Sequence, residues 1–467
     1  MRHKAVAVSL VMLLNITFNE ASEIKSSDLD TNEQRAAKTM IVSYKKSKMT
    51  AFQVTNEHTR IKNKCQCDIQ HLPNVGAFIL TYTTANHAGV DILKLDPSKE
   101  IGVDDEVVTI FDDDLTRRQT PTDPAFHSQW PLKNLNNEAD INAQDGWDQY
   151  LADTNGGNPT GPKVVVAVID TGIDYTHPEL RPMMWTNPGE TPNNGIDDDS
   201  NGIVDDVFGA DFTSSTPRGD PIDRNSHGTH CAGIIGAKEN NGNGIAGVAS
   251  FTQGKVKIMA VKGLNDRGSG TFSGLLKSLN YAIGKGAKIS SNSWGNTRSI
   301  SDAMEVLWDN VLKNNPEHLF VAAAGNSNRR VDNNYKIMAC GLNEPNLICV
   351  ASSTQADQKS SFSNYGKDFV HVFAPGSSIY STIPNNRYGL KSGTSMACPH
   401  VSGLAALIMT MRNGLNGKDV KELIEANVQK KSGYENLVSS GGLIDVSKTI
   451  RTLKDGGLLT VLMFFKL

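Results

Sequence analysis

Most of five short segments between residues 163 and 353 are apolar at consecutive positions, not only at alternate positions. A strand that is apolar throughout is buried on both faces, which is typical of a parallel sheet covered by helices. Helix-like stretches such as GTFSGLLKSLNYAIGKG and DAMEVLWDNVLKN alternate with the segments, which read KVVVAVID, KIMAVKGL, AKISSNSW, HLFVAAAGN and LICVASS. The pattern predicts a doubly wound α/β domain whose ligands bind at the carboxyl ends of its strands.

The N-terminus reads as a targeting signal. A basic stretch, residues 2–4, precedes the apolar run AVAVSLVMLL, which is too short to span a bilayer. We therefore expect a signal peptide at residues 1–21 and a secreted or secretory-pathway protein, with a buried N-terminal helix as the alternative. No other segment reaches membrane-spanning length in the sequence, and a formal charge of −4 gives no electrostatic case for nucleic-acid binding.

Between the signal and the α/β region lies a segment of different character. Residues 22–115 contain the strand-like runs KTMIVSYKK, VGAFILTYTT and GVDDEVVTIF, enough for a small α+β domain. The polar, proline-bearing stretch DDDLTRRQTPTDP follows at residues 112–124 and is typical of an exposed, cleavable linker. The main domain is predicted at 116–450, and a C-terminal tail without an assigned role at 451–467.

Six cysteines bear on the compartment and on possible metal sites. In an oxidising compartment Cys340 and Cys349 could close the short loop CGLNEPNLIC, whose Pro and Asn residues favour a turn. Cys65 and Cys67 are too close in sequence to bridge comfortably with each other. No array of cysteines and histidines has zinc spacing, so a zinc site is not expected.

Three residues stand at the edges of apolar elements, each beside glycine. Asp170 ends a strand, His227 precedes the helix-like THCAGIIGA, and Ser395 stands where an apolar helix begins. Each also has an ordinary structural interpretation, as a turn Asp, a packed His and an N-cap Ser. Together they follow the chain order Asp, His, Ser, one of three known orders of the hydrolytic triad.

At this point the sequence resembles the subtilases, the subtilisin-like serine proteases. The matching motifs are VAVIDTGID, SHGTHCAG, VAAAGNS and SGTSMACPHVSG. The resemblance implies an α/β fold with a mainly parallel sheet and helices on both faces, preceded by an inhibitor-like propeptide. It also implies that Asp170 orients His227, that His227 takes the proton of Ser395, and that Asn326 stabilises the oxyanion with the Ser395 N–H. His230 and His400 match structural positions of the family.

The resemblance extends to substrate binding. The stretch Ser293, Trp294 and Gly295 is similar to the family strand that pairs with the substrate backbone and walls its primary pocket. Gly268, Ser269 and Gly270 resemble the opposite edge strand. Small residues there leave main-chain groups open, so that an extended peptide can add as a strand.

Two calcium sites are expected, and no organic cofactor. The acidic run NPGETPNNGIDDDSNGIVDDVFG fits the first half of a calcium loop, and a solvated acidic loop is the alternative. Its candidate side chains are Glu190, Asp197, Asp199, Asn201 and Asp205. The second site follows from the resemblance alone, with Asp123, Glu179 and Asn241 as side-chain ligands and the carbonyls of residues 239, 243 and 245.

The sequence thus predicts a secreted, calcium-stabilised serine endopeptidase, made as an autoprocessed zymogen and held inactive by its own propeptide. Its partners would be protein or peptide substrates, and it would be a monomer without a membrane span. One alternative is a catalytically silent subtilase fold used for binding. Another is a thiol hydrolase that uses Cys398, three residues beyond Ser395.

These alternatives predict different responses to covalent inhibitors. If Ser395 is the nucleophile, a fluorophosphonate will label it and abolish peptide hydrolysis, while mild alkylation with iodoacetamide will leave hydrolysis intact. Mass spectrometry of the labelled peptide identifies the site. Loss of activity on alkylation alone would favour the thiol hydrolase, and a folded protein that reacts with neither reagent would favour the silent fold.

Overall fold

The computed structural model describes residues 126–454, apart from 135–138, 155–158, 160 and 297–298, together with four upstream strands. Its helices are α1 Ala143–Asp153, α2 His227–Gly236, α3 Phe272–Gly284, α4 Asp302–Lys313, α5 Thr394–Met411, α6 Gly417–Ala426 and α7 Val446–Lys454. Short 3-10 turns lie at Phe126–Ser128 and Arg181–Met183. The predicted signal peptide, Cys65, Cys67, Asp123 and most of the C-terminal tail lie outside these residues.

The upstream strands are β1 Ala37–Ser43, β2 Asp68–Leu72, β3 Ala77–Thr83 and β4 Val107–Thr109. The remaining strands are β5 Val164–Asp170, β6 Gly209–Asp211, β7 Val256–Lys262, β8 Ser269–Thr271, β9 Ile289–Asn292, β10 Leu319–Ala323, β11 Leu347–Ser353, β12 Val372–Pro375, β13 Ile379–Ile383, β14 Arg387–Lys391, β15 Gln429–Lys430 and β16 Gly442–Leu443. The chain divides into two compact units, one of residues 1–106 with 301–314 and one of 107–300 with 315–467.

The first unit contains a three-stranded antiparallel sheet in the order β1-β3-β2, and helix α4. Two of the three strand-like runs predicted for this region form β1 and β3. The third run forms β4, which belongs to the second unit and pairs there with β8. The sheet is completed by β2, whose sequence DIQHL the pattern analysis did not single out.

The second unit is built on a nine-stranded sheet in the order β15-β16-β12-β11-β10-β9-β5-β7-β6. All its pairings are parallel except that of β15 with β16. The all-apolar strands are buried along their whole length, as β10 and β11 illustrate, which confirms the predicted parallel α/β sheet. The predicted fold class is therefore confirmed.

The order of strands locates the site. From β5 the chain proceeds to β6 and β7 on one side, then crosses to β9 on the other side of β5. The carboxyl ends of β5 and β9 therefore flank the point where the winding reverses, which is where ligands bind in such sheets. Asp170 ends β5, and Ser293 follows β9 directly.

Helix α5 forms the centre of the core. It packs against β9, β10, β11 and β12, and every residue from Thr394 to Thr410 is buried. It is also the one helix of the described chain that is long and apolar enough to cross a membrane, although 94% of it is buried inside the protein. Its apolar character follows from its central position, because a helix surrounded by strands and helices is apolar all round.

The predicted bridge between Cys340 and Cys349 is present, with 5.2 Å between the two Cα atoms. It ties the strand β11 to the loop before it. The other two cysteines of the second unit, Cys231 and Cys398, are buried free thiols.

Candidate active site

Asp170 lies at the carboxyl end of β5 and is fully buried. Its carboxylate accepts the N–H of Thr171 at 2.7 Å and faces the ring of His227. Gly228, on the neighbouring helix, packs directly against the turn that follows Asp170. A Cβ at Gly228 would come within 2.1 Å of the Gly172 carbonyl oxygen, so only glycine lets helix α2 approach β5 this closely.

His227 is the first residue of α2 and is also fully buried. Its Nδ1 lies 2.8 Å from Asp170 Oδ1 and 3.0 Å from Oδ2. This nitrogen therefore carries a proton, and its N–H donates a hydrogen bond to the carboxylate. Nε2 therefore holds the lone pair, and it has no hydrogen-bond partner among the described residues. Burial by itself lowers the pKa of His227, but the charge of Asp170 and its hydrogen bond to the ring outweigh this effect and raise the pKa well above its usual value.

Ser395 is the second residue of α5, at the positive end of the helix. Its Oγ donates to the carbonyl of Ser293 at 3.1 Å, and the hydroxyl of Ser293 donates back to the Ser395 carbonyl at 2.9 Å. Cys231, one turn after His227, also donates to that carbonyl at 3.4 Å. These bonds fix the helix start of Ser395 to the end of β9 and to the helix of His227. Attack on a substrate requires the hydroxyl to turn to His227 Nε2, a tightening that free enzymes often show only with substrate bound.

Asn326 follows β10 in the loop Ala324–Asn326, and its amide orientation is fixed. Its Oδ1 accepts the N–H and the hydroxyl of Thr394, both at 2.9 Å. The amide nitrogen is therefore turned away from Thr394. Because Thr394 directly precedes Ser395, these bonds also tie the loop of Asn326 to the start of α5.

Asn364 was missed by the sequence analysis, yet it holds this loop on both sides of Asn326. Its side chain accepts the N–H groups of Ser327 and Arg329 and donates to the carbonyl of Ala324. Asparagine readily bonds to neighbouring backbone in turns, and this is the only signal that SFSNYG carries in the sequence.

The two free thiols do not support thiol chemistry. Cys398 lies one turn into α5, with its sulfur 3.4 Å from the Val321 carbonyl oxygen, and burial raises its pKa to about 12. Cys231 is the thiol beside the histidine, with 4.0 Å between its sulfur and His227 Nδ1. That nitrogen is the one bound to Asp170, and burial raises the pKa of Cys231 as well. Neither thiol is therefore placed as an activated nucleophile.

The residues predicted to bind substrate lie at the edges of the site. Ser293, Trp294 and Gly295 follow β9 and are buried, Trp294 completely. Gly268 precedes β8, which consists of Ser269, Gly270 and Thr271. This edge strand pairs antiparallel with β4 in the register Val107 to Thr271, Val108 to Gly270 and Thr109 to Ser269.

The acidic loop places some of its predicted calcium ligands together and others apart. Oxygens of Glu190, Asp199 and Asp206 lie within 4.8 Å of one another. Asp206, which the sequence analysis did not name, is fully buried, and the buried Oε2 of Glu190 has no partner among the described residues. Asp197 and Asp205 instead accept backbone N–H groups of the loop, at Gly202 and Gly195 respectively.

Basic and amide groups accompany this carboxylate cluster. Lys285 forms ion pairs with Asp199 and with Asp206, and Tyr281 donates to Asp206 at 2.6 Å. Asn201, a predicted ligand, donates to Asp206 at 3.0 Å. Three carboxylates against one ammonium leave two formal negative charges, which a divalent cation would neutralise.

At the second predicted calcium site, the structure brings Glu179 and Asn241 together. Asn241 Nδ2 donates to Glu179 Oε2 at 3.1 Å, and Glu179 Oε1 accepts from the hydroxyl of Tyr388 and from Ile245 N–H. Asp123 lies outside the described residues. The site remains a prediction.

The comparisons with known proteins agree with this geometry. Residues 161–442, more than half of the chain, match the subtilase family model. Thermitase of Thermoactinomyces vulgaris is 37% identical over 319 residues, which cover 67% of this chain and 93% of thermitase. The thermophilic serine proteinase of Bacillus sp. strain AK1 is 40% identical over 271 residues, 57% of each chain. Subtilisin-like protease 1 of Plasmodium berghei strain Anka is 32% identical over 305 residues, 61% of this chain and 49% of that protein.

The chain therefore belongs to the subtilase family, as its four motifs predicted. It spans about half the length of the Plasmodium and Bacillus relatives, and nearly all of thermitase.

The Asp170–His227 pair generates a prediction about pH. An imidazole accepts a proton only while neutral, so activity falls as pH drops through the pKa of His227. Asp170→Asn removes the charge that raises this pKa, and the acid limb of the kcat/KM profile will move to lower pH. We also expect kcat to fall about 10⁴-fold, because Asn can hold the imidazole in the wrong tautomer. Activity profiles over pH check both effects, and an acid limb that stays in place would contradict the assigned pair.

Proposed function

We propose that this protein is a serine endopeptidase that hydrolyses peptide bonds through an acyl-enzyme intermediate. The observation that carries the proposal is the buried contact of His227 Nδ1 with both oxygens of Asp170. This contact leaves Nε2 as the nitrogen that would act as general base toward Ser395, at the start of α5. A silent binding fold is not favoured, since the chain carries Asp170, His227, Ser395 and Asn326 at all four motif positions.

Each step of the reaction follows from these groups. Ser395 Oγ attacks the scissile carbonyl carbon as its proton passes to His227 Nε2. Asn326 Nδ2 and the Ser395 N–H donate to the oxyanion that forms, and loss of one such side-chain donor costs about 10²–10³ in rate, a value measured in subtilisin. The C–N bond breaks as His227 protonates the leaving amine. Water, activated by His227, then attacks the ester and releases Ser395.

Protein or peptide substrates would bind as an added strand. The edge strand β8 accepts a partner strand through main-chain groups, and the pairing with β4 supports this mode. Ser269 and Gly270 offer little side chain there, so selectivity depends on the pockets beside the strand, with Trp294 forming part of their wall.

We further propose that the chain is a zymogen whose propeptide occupies its own cleft. One observation supports this: β4 pairs antiparallel with β8, the strand expected to bind substrate. Cleavage in or near residues 111–120, just beyond β4, would then release the propeptide.

Maturation is tested by comparing the native protein with a Ser395→Ala variant. N-terminal sequencing of the native secreted protein will give a start within or next to residues 111–120, because the active site cuts its own linker. The Ser395→Ala chain will keep the propeptide and start near residue 22. A native mature chain that also starts at residue 22 would contradict autoprocessing.

We also propose that calcium stabilises the folded enzyme. Glu190, Asp199 and Asp206 would hold the ion, because oxygen-only donors favour Ca²⁺ over transition metals. The buried Glu190 Oε2, which has no hydrogen-bond partner among the described residues, supports a cation site at this cluster. Bound calcium would neutralise the carboxylates and close the loop on the core, while Asp197 and Asp205 shape the loop through its backbone.

Calcium removal will lower the melting temperature and accelerate self-digestion, since an ion that binds only the folded state stabilises it by mass action. Calorimetry with and without excess chelator measures this effect. Asp199→Asn will reduce the chelator-sensitive part of the shift, whereas Asp309→Asn, a change at a half-buried position outside the cluster, will leave it intact. An unchanged melting temperature in excess chelator would rule out both calcium sites.

The remaining proposals concern location and assembly. We propose that the enzyme is secreted or resides in the secretory-pathway lumen as a monomer. The basic and apolar start of the chain supports this location, and the Cys340–Cys349 bridge is typical of oxidising compartments.

A further inference from the structure

We propose that Asp223 is a positioning residue for the triad, which braces the helix start of His227 against the turn that follows Asp170. The inference rests on the proposed serine endopeptidase function. Asp223 touches none of the reacting groups and lies four residues before His227, in PIDRNSHG. Its side chain is 3% exposed, so the carboxylate must be held by hydrogen bonds.

Both oxygens of Asp223 accept hydrogen bonds from the two sides of the active site. Oδ1 accepts the hydroxyl of Thr171 at 2.9 Å and the N–H groups of Asn225 and Ser226 at 2.8 and 3.0 Å. Oδ2 accepts the N–H and hydroxyl of Thr229 at 3.0 and 2.6 Å. Five donors thus converge on one buried carboxylate, and every one belongs to the strand end of Asp170 or the helix start of His227.

Two threonine hydroxyls, one on each side, link the turn after Asp170 to the start of α2. Thr171, on the strand side, donates to Asp223 and accepts from the helix N–H of Gly228 at 3.0 Å. Thr229, on the helix side, donates to Asp223 and accepts from the N–H of Asp174 at 2.9 Å. Asp223 is the common acceptor, and it fixes the direction of both hydroxyl protons.

This brace also holds a strained residue. Ser226, directly before His227, has φ +93°, a conformation that residues other than glycine rarely adopt. The N–H of Ser226 is one of the five that Asp223 accepts. A strained backbone conformation persists only where surrounding contacts hold it in place, and the hydrogen bond to Asp223 is such a contact for Ser226. The carboxylate thereby sets the direction in which the chain enters α2, and so the position of the His227 ring opposite Asp170.

Asp223→Asn tests the brace with little change in shape. In the native protein both oxygens of Asp223 accept hydrogen bonds. In the variant, the amide nitrogen replaces one of these oxygens and faces donors, so the hydrogen bonds on that side are lost. We expect the rate constant for fluorophosphonate labelling of Ser395, and kcat, to fall roughly ten- to hundredfold, with KM within about threefold. Both rates are measured where circular dichroism shows each variant to be folded, so that a smaller folded fraction does not imitate the effect. Asp445→Asn is the matched control, because Asp445 is also buried but caps α7 by accepting the Lys448 N–H. We expect the kcat of this control variant to equal that of the native enzyme.

A second background separates positioning from general stability. In a Ser226→Gly protein the strain at φ +93° is removed, so Asp223→Asn will lower kcat by a smaller factor than it does with Ser226. A fall below twofold in the native background, or an equal fall in both backgrounds, would overturn the proposal. Thr171→Val, which removes only the hydroxyl link, replaces Asp223→Asn if that variant does not fold.

The test also distinguishes this inference from the proposed function. A native protein that fluorophosphonate does not label would overturn the endopeptidase proposal. The downfield proton resonance of His227 Nδ1–H then still reports the brace without any activity. It will move in Asp223→Asn and stay in place in Asp445→Asn, and an unmoved resonance in both would reject the role of Asp223.

Discussion

The buried hydrogen bond between Asp170 and His227 is the constraint on which the rest of the site depends. A carboxylate with no exposed surface needs donors, and the imidazole supplies one only if α2 lies directly against the end of β5. The glycine at 228 permits that approach, and the Cys231 sulfur one turn later reaches the Ser395 carbonyl. The start of α5 at Ser395 is therefore tied to the same helix that carries His227.

Around this bond, the other parts of the site are held by hydrogen bonds to neighbouring loops and helix starts. Asn364 fixes the loop of Asn326, Thr394 fixes its amide, and Ser293 exchanges hydrogen bonds with Ser395. These contacts orient groups before substrate arrives, so that little reorganisation is needed when charge develops. The main-chain groups of β8 pair with the chain's own β4, on the strand that we propose binds substrate.

The sequence predicted most of the fold because all-apolar strands and glycine-bounded motifs are local features. It predicted the parallel sheet, the helix behind Ser395 and the Cys340–Cys349 bridge. It predicted the strand β4 but not its pairing with β8, because a strand-like run does not specify its partner, and it missed β2, whose apolar content is low. It named Asp205 but not Asp206, although the two are adjacent. Which of them turns toward Glu190 depends on a backbone at Asp205 with φ +53°, and composition carries no such information.

The sequence by itself determined the family and the α/β class, and it named the candidate triad residues, because motifs and burial patterns are written in short stretches. Only the tertiary structure decided which nitrogen of His227 faces Asp170, that Cys231 and not Cys398 lies beside His227, and that Asp223 accepts hydrogen bonds from the turn after Asp170 and from the start of α2. These depend on distances between residues up to 164 positions apart, such as Cys231 and Ser395. Such distances arise only when the sheet is wound and its helices are packed.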